Sequence, residues 1–131
     1  MTSDWERALN RARDDLGAAN HLRASGHAPQ ACSRAYFAAF YAASAALSLL
    51  GETRTKHSGV LSAFHDKVIR DGGFDTETGR MLGWLFDLRN TADYRWDPVA
   101  ASDAEEAFER ASRFVGAVEQ WIRSRDEGAD S

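Results

Sequence analysis

Arg89 and Asp93 stand four residues apart in the stretch Leu85-Phe86-Asp87-Leu88-Arg89-Asn90-Thr91-Ala92-Asp93-Tyr94, and both interrupt a hydrophobic stripe. At about 100° per residue, Leu82, Leu85 and Phe86 mark one helical face, and Arg89 and Asp93 fall in the same sector. A charge on a core-facing stripe is costly unless it is paired or opens onto a cleft. Three arrangements meet that demand. One is an intrahelical Arg89–Asp93 pair, which in this order is worth only about tenths of a kcal/mol. Another is a buried polar lock in which Arg89 also meets a hydroxyl such as that of Tyr41. The third is a polar groove in which Arg89, helped by Arg34, holds a phosphate with Asn90, Asp93 and Tyr94 around it. The planar fork of arginine suits paired phosphate oxygens.

A second phosphate contact is available at Lys56-His57-Ser58-Gly59. There a basic link leads into a helix start capped by Ser58, and free N–H groups favour anions. The competing reading of His57 is an exposed loop histidine. Metal chemistry has little to build on: none of His21, His27, His57 or His65 has an acidic residue or another histidine three or four positions away, and no cofactor or metal is expected. Gly72-Gly73 reads as a helix stop and not a phosphate loop. Cys32, the only cysteine, reads as a small core residue.

Five helices must position these residues, and no strand pattern is present. Helix 1 opens on a capping box, Ser3 with Glu6. It carries Trp5, Leu9, Ala12, Leu16 and Ala19 inward. Helix 2, about Pro29 to Leu50, is apolar on two sides. Tyr36, Phe37, Phe40 and Leu47 line one side; Ala35, Ala38, Ala39, Ala42 and Ala46 line the other. Between them runs a polar line of Arg34, Tyr41, Ser44 and Ser48. Small residues let another backbone come close, so helix 2 is predicted to be central. Helix 3 is short, with Val60, Leu61, Phe64 and Val68 inward. Helix 4 runs from Asp75 or Thr76 to about Asp93. Helix 5 opens on a second capping box, Ser102 with Glu105, and buries Ala107, Phe108, Ala111, Phe114, Val115, Val118 and Ile122. Trp84 points off the helix 4 stripe and is the first guess for a subunit contact. The expected fold is all-α: an up-and-down four-helix bundle with one extra short helix, a single domain over 1–124 and a polar, disordered tail over 125–131.

The formal net charge of −4 over 131 residues speaks against a broad basic surface. It leaves room for arginines that converge locally after folding. No signal peptide is visible at the start, and the uncharged run from Ala35 to Leu50 is short of the roughly 20 residues a membrane span needs. A cytoplasmic protein without a membrane role is therefore expected.

Three segments in this order, Ser33-Arg34-Ala35-Tyr36-Phe37-Ala38-Ala39-Phe40-Tyr41-Ala42-Ala43, Lys56-His57-Ser58-Gly59-Val60 and Leu88-Arg89-Asn90-Thr91-Ala92-Asp93-Tyr94, resemble the HEPN domain family in its short stand-alone prokaryotic branch. The resemblance covers helix 1 to the end of helix 5. It implies a homodimer whose two arginine motifs share a cleft. It also implies a place in a toxin–antitoxin or defence module beside a minimal nucleotidyltransferase, with RNA or a nucleotide as ligand. On this reading Arg89, Asn90, Asp93 and Tyr94 form the catalytic or binding motif, and Arg34, Tyr41, Lys56, His57 and Arg89 contact phosphate. Many members are metal-independent endoribonucleases whose motif ends in histidine. Here that place holds Tyr94, followed by Arg95 and Trp96. Moving a proton near pH 7 suits an imidazole, not a phenol of pKa about 10. The expectation is thus phosphate binding at Arg89, with or without catalysis. The alternatives are a ribonuclease with an Arg-Asn-x-x-Asp-Tyr site, in which a strongly perturbed tyrosine or His57 of the same or the other subunit stands in for the histidine, and a pure interaction partner of the nucleotidyltransferase.

Overall fold

Helix α1 (Asp4–Ala24) opens on the expected capping box: Ser3 Oγ accepts from the Glu6 N–H, and the Glu6 carboxylate accepts from the Ser3 N–H. The computed structural model describes the backbone of residues 2–94 and 98–129, and within it every side chain except those of Asp93, Tyr94 and residues 127–129. The described residues form α1, α2 (Ala28–Leu49), α3 (His57–Ala63, continued by a π-helical segment over Phe64–Arg70), α4 (Thr76–Tyr94) and α5 (Ala101–Ala129). They contain no strand. This is the all-α, up-and-down bundle that the hydrophobic periodicity predicts.

Two tight corners shape the start of the bundle. Gly26 and Gly51 take φ of +81° and +76°, left-handed values that a side chain disfavours. They let the chain cap the preceding carbonyls, as in the Glu52 N–H to Leu47 C=O bond of 2.8 Å. Helix α2 packs against α1, α4 and α5, so it is central, as its two apolar sides demand. Ala35, Ala38, Ala39, Ala42 and Ala46 are all completely buried, and so is Cys32. Absent side chains there bring helix axes together; the aromatic side of α2 instead carries rings that reach across to α3 and α4. Salt bridges Arg13–Glu119 and Arg23–Glu105 fix α1 antiparallel to α5.

Several local expectations change. Helix α3 begins at His57, with Lys56 in the capping position, so Ser58 is already helical and caps nothing. The second half of that helix widens into π geometry, where the Asp71 N–H reaches back five residues to the Asp66 carbonyl at 3.2 Å. Helix α5 starts at Ala101, and Asp103 accepts from the Ala100 N–H at 3.0 Å in place of the expected Ser102–Glu105 box. Glu105 is drawn away to Arg23, 2.8 Å distant. The same helix runs to Ala129, past Ser124 where a disordered tail is expected. Arg125 is anchored there: its guanidinium lies over Trp121 at 4.4 Å and donates to the Gly72 carbonyl at 3.2 Å. Asp75 caps α4 through the Thr78 N–H and hydroxyl at 2.9 and 2.7 Å. Trp84 lies half-buried, with the Arg110 guanidinium 4.1 Å from its ring. No helix among the described residues is long and apolar enough to cross a membrane.

Ala42 has no exposed surface, so Ala42→Leu must push a neighbouring helix outward. Overpacking of this kind costs about 1–3 kcal/mol. Urea unfolding of the variant is expected to show that loss, against a change under 0.5 kcal/mol or so for a substitution at the exposed Gln30.

Candidate functional site

The site grows from one fully buried ring. Tyr36 lies midway along α2 with no exposed surface, and its hydroxyl would be an orphan in that interior without a partner. His57, the first residue of α3, supplies one: its Nδ1 lies 2.7 Å from the Tyr36 oxygen. The imidazole stacks on Phe40 at a centroid distance of 4.4 Å and meets the edge of Phe37 at 5.7 Å. Phe86 of α4 closes the cluster, 5.7 Å from Tyr36. His57 is therefore not a loop histidine; Lys56, next to it in the chain, stands exposed at the cap.

Arginines gather on these rings. The Arg89 guanidinium carbon is 5.0 Å from the Phe37 centroid and 5.5 Å from that of Tyr36, so Arg89 is held by aromatic faces on α2. Arg34 lies over the same Phe37 ring at 4.7 Å and donates to Asp15 Oδ1 of α1 at 3.3 Å. Half-buried Tyr41 extends the cluster from Phe40, 5.6 Å away, and carries the Arg11 guanidinium at 4.8 Å. Asn90 is half-buried beside Arg89 on α4. The Asp93 and Tyr94 side chains and all of residues 95–97 lie outside the described residues.

The structure thus brings Arg34, Tyr41, His57 and Arg89 to one aromatic surface, while Lys56 is exposed at the start of α3. Helical periodicity puts Tyr36, Phe37 and Phe40 on an apolar side of α2 without marking them as a platform, and the site expected from the sequence includes neither Arg11 nor Asp15. Asp15 carried a usable signal: it breaks the Leu9–Ala12–Ala19 stripe of α1 just as Arg89 breaks that of α4. Tyr36 carried none, because a tyrosine among apolar residues looks the same whether or not its hydroxyl is in use. Among the described residues no three His, Cys, Asp or Glu side chains converge on a metal position.

Electrostatics follow the geometry. Burial, with a smaller part from the Arg89 charge, holds the His57 imidazole below its ordinary pKa of 6.5. Burial pushes the Tyr36 phenol up to about 12, and Arg89 opposes the rise. At pH 7 the site therefore holds a neutral imidazole and a neutral phenol beside fixed cations. When His57 Nδ1 carries its proton and donates it to Tyr36, Nε2 is left as a basic nitrogen.

A depressed histidine binds fewer protons folded than unfolded. Its contribution to stability is then full above pH 6.5 and is lost as pH falls from there through the folded value. Proton NMR of the folded protein is expected to show His57 titrating below 6.5, with the midpoint rising in Arg89→Ala. A midpoint at or above 6.5 in the wild type would contradict the burial and charge just described.

The HEPN domain family model matches residues 5–121. The chain is 33% identical over 119 residues to the UPF0332 protein of Thermotoga maritima, covering 90% of this chain and 88% of the relative. Two Methanocaldococcus jannaschii proteins are also similar, each bearing the name "Putative toxin". MJ0605 is 30% identical over 112 residues, covering 86% of this chain and 84% of the relative. MJ0142 is 27% identical over 124 residues, covering 94% and 84%. The match spans all five helices, the aromatic platform and Arg89, and on that basis the chain belongs to the HEPN domain family.

Proposed function

We propose that this protein binds RNA, or the phosphate of a nucleotide, at the Arg89 site, and that it does so as a homodimer acting as the toxin-type member of a toxin–antitoxin or defence module. The observation that carries the reading is the convergence of Arg89 and Arg34 on one Phe37 ring, with His57 on the same platform. The chain is acidic overall, yet three guanidiniums, Arg11, Arg34 and Arg89, gather on this side of α2. Asp15 pairs with one of them, Arg34. Clustered cations interleaved with aromatic rings are the chemistry of single-stranded nucleic-acid binding. The names of the Methanocaldococcus relatives support the toxin assignment. A minimal nucleotidyltransferase is the expected partner. The dimer brings a second Arg89 motif to the cleft, where Asn90, Asp93 and Tyr94 complete the contacts.

A second reading, metal-independent RNA cleavage, is favoured by His57. An imidazole kept neutral near pH 7 and oriented through Nδ1 fits a general base. Its Nε2 would take the proton of a 2′-hydroxyl as that oxygen attacks phosphorus. The bond to the 5′-oxygen then breaks, and that oxygen leaves with a proton from solvent. Arg89 would stabilise the charge that builds on the phosphoryl oxygens.

Arg89→Ala is expected to weaken binding of a single-stranded RNA roughly ten-fold or more, the worth of a charge-assisted hydrogen bond. Fluorescence anisotropy reads the loss, with a circular-dichroism melt confirming the fold. Unchanged affinity would sink the binding reading. Cleavage, where it occurs, should survive EDTA, rise as pH increases through a value below 6.5, and vanish in His57→Asn. If several RNAs stay intact across pH 6–9, the catalytic reading is dropped and the binding one stands. A light-scattering mass of one chain at micromolar concentration would refute the dimer.

A further inference from the structure

Asp15 is the one charged residue buried among the described residues, with 6% of its surface exposed. Its contacts are poor for such a place. Oδ1 accepts from Arg34 at 3.3 Å, long beside the roughly 2.8 Å of a good charge-assisted bond, and Oδ2 has no hydrogen-bond partner there. Burial outweighs the nearby Arg34 and Arg11 charges and raises the carboxyl pKa, so the folded chain holds this carboxylate at a net cost. That cost falls on the α1 residue that touches Arg34. Arg34 in turn shares the Phe37 ring with Arg89.

We propose that Asp15 is a positioning residue that sets Arg34 on Phe37 as the second half of a two-guanidinium grip for neighbouring phosphates of one RNA strand. The proposal rests on the reading of the Arg89 site given above. Two guanidinium carbons at 4.7 and 5.0 Å from a single ring centroid cannot be more than about 10 Å apart, a span that takes in successive phosphates along a strand. Room for the strand continues past Arg34. There a cavity of about 490 Å³ opens between α1, α2 and α4, lined by Leu22, Pro29, Gln30, Ser33, Arg34 and Ala92. The unpartnered Oδ2 leaves Asp15 able to take a second N–H of Arg34 when phosphate pulls the guanidinium into line.

The test compares fluorescein-labelled octauridylate with uridine monophosphate on wild type, Asp15→Asn, Arg34→Ala and Arg89→Ala, over 50–300 mM salt. Removing a carboxylate from a phosphate site should tighten binding by Coulomb's law alone, whereas loss of a positioning residue weakens it. Asp15→Asn is expected to weaken octauridylate binding about three- to ten-fold, and monophosphate binding less than two-fold. Its melting temperature should stay at or above that of wild type, because a neutral amide suits the buried position better. Arg34→Ala should lower the slope of log affinity against log salt by about one. Octauridylate binding by Asp15→Asn as tight as wild type, or an unchanged slope in Arg34→Ala, overturns the proposal; the slope decides alone if Asp15→Asn does not fold. Full octauridylate affinity in Arg89→Ala would instead overturn the Arg89 reading itself. Loss in Arg89→Ala with Asp15→Asn and Arg34→Ala intact overturns only the two-arginine grip.

Discussion

The Tyr36 hydroxyl lies in the middle of the bundle, where water cannot reach it, and the contact that satisfies it organises everything around it. A buried phenol without a partner costs on the order of 1–3 kcal/mol. The 2.7 Å bond to His57 removes that cost and ties the first residue of α3 to the centre of α2. It also fixes the plane of the imidazole against Phe40. Once Tyr36, Phe37, Phe40 and His57 form one surface, Arg89 has a face on which to rest its charge in a half-buried position. The same surface receives Arg34 and, through Tyr41, Arg11.

Helix α2 meets two demands that usually conflict. Its alanine side removes side chains so that helices can approach, which stabilises the bundle through close backbone packing. Its aromatic side supplies bulk, and with it π-faces that hold cations in a partly desolvated place. Shape and electrostatics are thereby divided between the two sides of one helix. The bundle could not carry a half-buried arginine cluster on an all-aliphatic face, because no group there would offset the loss of hydration.

The absence of the usual histidine from the arginine motif gains a physical context from this arrangement. Tyr94 follows Arg89 at the motif position, and a phenol is a poor proton shuttle at neutral pH. An imidazole is nonetheless present near Arg89, brought from a different helix and kept unprotonated by burial and by Arg89 itself. On the cleavage reading proposed above, the arginine that meets the phosphate would also help burial to keep the base unprotonated. A site of this kind is assembled across α2, α3 and α4, so no single short motif contains it.

Much of the bundle was legible in the chain. The helix count, the capping box at Ser3, the central place of helix 2 and the buried alanines follow from periodicity and residue size, which are local properties. Arg89 was legible too, because a charge on an apolar stripe announces itself. Boundaries were less secure where side chains had rival partners: Glu105 left its expected capping role for Arg23, and Arg125 extended α5 by gripping Trp121 and Gly72. What only the tertiary structure decided is which groups meet. Tyr36 and His57 are separated by a helix half and a loop, and Asp15 and Arg34 lie on different helices. A hydroxyl, an imidazole or a carboxylate looks alike in sequence whether it faces water or a partner. Hydrogen bonds and charge pairs across helices depend on distances that close only when the helices pack.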